Sequence, residues 1–262
     1  MLTAIEKQQY INEVLLPNFK HILKNNVHAS LFDDELRLKI CTDLSARSVG
    51  FKSWQEIENT SYLDCHNQDL MGKVFGKFYS EQNIPLLILH AQRIIQLQKH
   101  VFKTGTIIYF IDLLPYNNMF TSFMVTFLPI YHHSGEIIAL QSIAIENKFF
   151  NFQDYIYNDG RFRPKTSTVE LTQREDEVIF LLANSITQEK IGQLLKISRS
   201  TVANCINQLC LKFDIAGSNT RLLGELATQH GYHTSVPKSL WKPNIIILDE
   251  EIAKLVTAAI EQ

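Results

Sequence analysis

Residues 171–215 read LTQREDEVIFLLANSITQEKIGQLLKISRSTVANCINQLCLKFDI, and this stretch decides the fold. Thr172 is of the residue type that caps helix N-termini, and Glu175 three positions on completes a capping box. Val178, Ile179, Leu181 and Leu182 follow at the spacing of one buried helical face. Asn184-Ser185-Ile186 breaks that helix. Thr187 caps a short second helix whose apolar face is Ile191, Leu194 and Leu195. Lys196-Ile197 makes a tight turn, and Ser198 caps a third helix carrying Val202, Ile206, Leu209 and Phe213. A short helix, a tight turn and a longer helix are the parts of a helix-turn-helix. The second helix of such a pair fits the major groove of DNA.

These residues also carry a family resemblance. The pattern L-T-x-R-E-x-E-V, L-L-A, T-x-x-x-I, I-S-x-x-T-V and K-F-x-I, spread over 164–231, resembles the LuxR/FixJ-type DNA-binding domain of bacterial regulators. Three positions depart from that pattern. Ser185 stands where a glycine is usual, Glu189-Lys190 reverses a usual Lys-Glu, and Ala203-Asn204-Cys205 replaces the usual K-x-H. The resemblance implies a DNA surface made of Gln188, Lys190, Arg199, Ser200, Ala203, Asn204, Asn207 and Lys212. Val202, Ile206 and Leu209 face the core, so helical spacing puts 203, 204 and 207 on the open side. Asparagine pairs bidentately with adenine and alanine touches the thymine methyl, so this set points to an A·T-rich half-site. Arg199, Ser200 and Lys212 flank the helix ends and are expected on phosphates. The bland alternative makes the two asparagines solvated surface residues. The resemblance also implies double-stranded DNA, a second copy of the chain and RNA polymerase as partners.

Composition bounds the rest. The chain has 262 residues, 45% hydrophobic and 20% charged, enough for two soluble domains with real cores. A net charge of −2 advertises no global field for nucleic acid, and residues 164–231 hold seven cations against seven anions. A DNA face there must therefore be locally basic. This balance keeps a second reading open: a helix-turn-helix protein that no longer contacts DNA and acts through protein partners. No phosphate loop, nucleophile elbow or paired metal motif appears, which argues against an enzyme. The four cysteines (Cys41, Cys65, Cys205, Cys210) form no C-x-x-C, and the close pairs Cys65-His66 and His132-His133 fall short of a zinc set. The start of the sequence has no signal-peptide pattern and no apolar run approaches a membrane span, so a cytoplasmic location without membrane contact is expected.

The expected architecture is α+β. Residues 1–27 form a helical segment interrupted by Pro17, with an apolar stripe of Ile5, Ile11, Val14, Leu15, Phe19, Ile22 and Leu23. This segment either caps its own domain or joins a homodimer. Residues 28–147 show two short strands around Asp33-Asp34, helical pieces broken near Gly50 and Asn59, a helix over 83–103, and strands over 104–114, 119–131 and 136–146. That order, with Asp43-Leu44-Ser45-Ala46 and Gly50-Phe51-Lys52-Ser53, resembles a PAS sensor domain. Phe123, Val125 and Phe127 line one face of the second long strand, and Met124, Leu128 and Ile130 the other. Both sheet faces are thus covered, one by the domain's own helices and one by the 1–27 segment. Phe123, Val125, Phe127 and Ile143 are the candidate pocket residues. The cysteine-centred motif of flavin light sensors is absent, and no cofactor is expected. His90 and His100 are the candidate haem ligands, though a lone helical histidine is more often packed or on the surface. The pocket holds an unidentified small molecule or none. Residues 148–163, with Phe149, Phe150, Phe152, Tyr155, Tyr157 and Phe162, are too aromatic for a floppy tether and read as a docked connector. A fourth helix over 219–230 closes the helical domain. Residues 232–262 form an extension with a terminal helix whose docking partner the sequence does not reveal.

Overall fold

The computed structural model describes residues 2–116, 119–147, 165–166 and 169–261. The connector 148–163 and its aromatic residues lie outside the described residues. The chain divides into two compact units, Met1–Asn147 with Lys242–Gln262, and Lys148–Trp241. In this division the residues of the expected 232–262 extension fall on both sides of Trp241/Lys242.

In the first unit, Thr3 and Glu6 make a capping box that starts helix α1 (Ala4–Tyr10). Pro17 does not end the helical path. It has no N–H for a preceding carbonyl, and the path widens into a π-turn over Ile11–Leu15 before resuming as α2 (Leu16–Phe19). The sheet contains β1 (His28–Asp33), β2 (Leu38–Cys41), β3 (Ile108–Leu114), β4 (Thr121–Tyr131), β5 (Ile137–Glu146) and β6 (Asn244–Ile247). Its order is β2-β1-β5-β4-β3-β6. Between β2 and β3 run α3 (Asp43–Ser48), α4 (Gln68–Phe75) and α5 (Ile84–Thr104). The expected strand over 104–114 starts four residues late. Thr104 stays helical, and Gly105 ends α5 in the left-handed region at φ 71. A side chain there would strike the Tyr131 hydroxyl, so glycine serves this stop twice over.

Alternation sorts the sheet into two faces. Phe32, Leu38, Phe110, Phe123, Val125, Phe127 and Leu140 pack with Ile94, Leu97 and Val101 of α5 on the inner face. Ala29, Leu31, Ile40 and Ala139 pack under Phe19, Leu15, Leu16 and Ile22 on the outer face. The N-terminal segment is thus a lid over part of the outer face. A bulge between β1 and β2 pairs Leu31 with Ile40 and Phe32 with Leu38, which puts both pairs on their proper faces. β6 pairs antiparallel with β3, Asp112 opposite Ile245 and Phe110 opposite Ile247. Ile252 and Val256 of the final helix α10 (Glu250–Ile260) then join the inner core.

The second unit holds α6 (Gln173–Ala183), α7 (Gln188–Leu195), α8 (Arg199–Lys212) and α9 (Thr220–Gln229). Thr172, Thr187 and Ser198 each accept a backbone N–H at their helix starts, and the Thr172–Glu175 box is complete. Val178, Ile179, Ile191, Val202, Ile206, Leu209, Leu223 and Ala227 form the core, with Tyr232 closing it. Ile5 and Leu194, which periodicity assigns to buried faces, are exposed, as are Leu222 and Leu255. Each sits at the margin of its helix's apolar stripe.

Candidate sensor cavity and nucleic-acid interface

The first unit holds a cavity of about 220 Å³ between the inner sheet face, α5 and the short helices. Phe123, Val125 and Phe127 line it as expected. Ile143 does not. Register places Val125 opposite Ala144 and Phe127 opposite Ser142, so the inner residues of β5 are even-numbered and Ile143 points to the outer face. Ser142 and Ala144 are the wall residues there, and Ser30 faces Ser142 across the ladder.

The lining includes a buried polar pair. His90 on α5 and Asp112 on β3 are 4% and 5% exposed, with Nε2 and Oδ1 2.7 Å apart. Because an ionised carboxylate only accepts, His90 Nε2 donates. That bond occupies the nitrogen a haem iron would need, and His100 lies outside the cavity lining. Tyr62 and Tyr116 line the same cavity. Burial, with the Asp112 charge added, pushes both phenols above their ordinary range, so they remain hydrogen-bond donors. Burial also pushes the Cys41 thiol up to about 12, so this lining cysteine is no thiolate nucleophile. His28 at the sheet end is held below its ordinary value by burial, which outweighs Glu146. No group of three or more His, Cys, Asp and Glu side chains suited to a metal ion occurs among the described residues.

The second unit presents a helix-turn-helix. Lys196 ends α7 in the left-handed conformation at φ 54, and Ile197 N–H donates to Gly192 O at 2.9 Å. A Cβ on Gly192 would sit 2.9 Å from Ile197 O, so only glycine lets α7 approach the turn this closely. Gly192 is a residue the sequence reading missed; its tell was an isolated glycine inside a helical pattern. Ser185, in the place of the usual glycine, adopts φ 61.

The expected DNA residues fall into two groups. Lys190, Arg199, Ser200, Asn204 and Asn207 are exposed on α7 and α8, with Ala203 and Gln188 half-buried. Asn207 Oδ1 accepts from Ser218 Oγ at 2.5 Å, and Gln188 Nε2 donates to Thr220 Oγ1 at 2.9 Å, so both are tied to the α8–α9 connection. Asn204 lies opposite Val202 and Ile206 and has the freest position of the three base-reading candidates. Lys212 is engaged within its own unit. Its Nζ lies 2.7 Å from Glu175 Oε2 and donates to Glu170 O at 3.0 Å, which holds the end of α8 against the start of α6. Burial alone would raise the Glu175 carboxyl. The Lys212 ammonium, with the Thr172 amide and hydroxyl, outweighs it and holds the carboxyl below its usual value.

Ion pairing also resolves the charge balance. Lys165 pairs with Asp176, Arg174 with Glu177, Lys212 with Glu175 and Arg221 with Glu225. Of the cations in residues 164–231, Lys190, Lys196 and Arg199 show no ion pair among the described residues. All three lie on α7, the turn or the first turn of α8. The helix-turn-helix thus carries three cations without an ion pair, alongside the one acidic residue of α7, Glu189.

Neither a family model nor a curated protein matches the chain. Solved structures do. A Vibrio cholerae VqmA in complex with ligand and DNA is similar at 19% identity and a TM-score of 0.63, covering 91% of this chain and 97% of that one. A phage VqmA in complex with DPO is similar at 18% identity and a TM-score of 0.55, covering 92% of this chain and all of the other. This likeness establishes the fold: a PAS-like domain and a helix-turn-helix domain in one chain. No helix among the described residues is long and apolar enough to cross a membrane.

Proposed function

We propose that this chain is a cytoplasmic DNA-binding transcriptional regulator in which a PAS-like unit senses a small molecule. The observation that carries the DNA half is the placement of the unpaired cations. Lys190, Lys196 and Arg199 surround an α8 surface that offers Asn204 and Ser200 to a groove. The sensing half is supported by a cavity whose mainly apolar walls also carry the His90–Asp112 pair. The VqmA structures, solved with ligand, DNA or DPO, agree with both halves. Self-association is supported by the outer sheet face, where Tyr109, Ile145 and Ile246 remain exposed around Ile111 and Met124. A second copy covering that face would present two recognition helices to one duplex, and RNA polymerase is the downstream partner of such a regulator.

The test is fluorescence anisotropy with the intact chain, on a site selected from random duplexes and on scrambled DNA, at several salt concentrations. Asn204→Ala costs about 1–3 kcal/mol on the selected site and little on scrambled DNA. Arg199→Ala weakens both alike and lowers the salt slope by roughly one. Absence of salt-dependent binding to any duplex would favour the reading in which the helix-turn-helix engages a protein instead.

A further inference from the structure

A buried acid–base pair is weak evidence for stability, because well-packed apolar residues can replace such pairs without loss. His90 and Asp112 therefore call for another explanation, and their position supplies one. Both line the cavity, as do Tyr62 and Tyr116. The rest of the wall is mainly apolar: Phe32, Ile94, Phe110, Phe123, Val125 and Phe127. His90 uses Asp112 Oδ1, and a carboxylate has lone pairs on both oxygens, so Asp112 can still accept. Neither lysine nor arginine lines the cavity among the described residues. An anionic ligand would meet a buried carboxylate and find no lysine or arginine in the lining to offset it.

We propose that the cavity takes a small molecule with a ring-sized apolar body and one hydrogen-bond-donating end, uncharged or cationic, seated with that end on Asp112. The proposal rests on the reading of this unit as a small-molecule sensor and adds the chemical class. The ring body packs against the phenylalanines. The donor meets Asp112, while His90 holds the carboxylate in place from the opposite side. Anions of the same shape are rejected by charge rather than by size, which makes Asp112 the specificity-determining residue.

Three probes of nearly one shape test this on the full-length chain: 2-phenylethylamine, phenylacetamide and phenylacetate. Titration calorimetry gives the affinities, and ligand-induced shifts in Tm provide a second reading. The amine or the amide is expected to bind at least tenfold more tightly than phenylacetate. Asp112→Asn is expected to remove most of that preference. If Asp112→Asn fails to fold, the order of the three probes on the unaltered chain decides alone. Phenylacetate binding as tightly as the amine and the amide would overturn the assigned class while leaving the sensor reading intact. Binding of none of the three would overturn it as well, and the DNA-reading half stands or falls separately on the anisotropy measurement. A folded Asp112→Asn protein with unchanged preference would remove Asp112 from its role.

Discussion

Lys212→Ala separates two accounts of one residue. A lysine on a DNA phosphate leaves the free protein's stability unchanged when removed. In this structure Lys212 instead holds the Glu175 carboxylate at 2.7 Å and the Glu170 carbonyl at 3.0 Å. Hydrogen bonds to charged groups contribute about 1.5–3 kcal/mol where well buried. The Glu175 side chain is only 10% exposed, but the lysine side chain is 34% exposed and screened by solvent, which lowers the expectation to about 1–2 kcal/mol. In a domain of this size that is a fall in Tm of roughly 4–15 °C for the helix-turn-helix unit. The pH dependence carries its own sign. The Glu175 carboxyl is held below its ordinary 4.5, so it contributes stability above that value and loses it as pH falls through the lowered folded value. The gap between the parent chain and Lys212→Ala is therefore full at neutral pH and closes below about 4.5. Calorimetric melts at pH 7 and pH 3.5, with anisotropy at several salt concentrations, read both quantities. An unchanged Tm with a salt slope lowered by one would refute the structural assignment and return Lys212 to the phosphates.

Two further expectations follow from backbone and packing. Ser185→Gly is expected to stabilise the second unit by up to about 1 kcal/mol, because a non-glycine residue at φ 61 carries left-handed strain that glycine lacks; denaturant melts that show no gain would count against it. Removing residues 242–262 takes away β6 and the buried side chains of Ile245, Ile252 and Val256, on the order of 5 kcal/mol of apolar burial. The first unit should then melt earlier, or bind a hydrophobic dye when unheated, while the second unit's transition stays in place. Two unshifted transitions would show that the returning strand is ornamental.

Local chemistry was legible in the sequence. Thr172, Glu175, Thr187 and Ser198 announce their helix starts because capping is decided within four residues. The two faces of β4 and β5 follow from alternation alone. What alternation cannot settle is which face meets the cavity, since that depends on the partner's register, and this is why Ile143 was misplaced. The His90–Asp112 bond joins a helix to a strand 22 residues on, and nothing in either neighbourhood marks the other. The Lys212–Glu175 pair spans 37 residues in the same way. Ile245-Ile246-Ile247-Leu248 is a short apolar run, but four apolar residues fit many edges, and pairing with β3 appears only when the sheet is assembled.

That pairing has a consequence for how the protein is made. A ribosome releases β3 about 130 residues before β6, which at 5–20 residues per second is on the order of ten seconds. During that interval the β3 edge has no strand beside it, and the core residues later covered by α10 face water. The whole second unit emerges in between and is free to fold first. The nascent sensor is thus exposed on the side where stray strands add most readily, until a segment encoded beyond the helix-turn-helix returns to seal it.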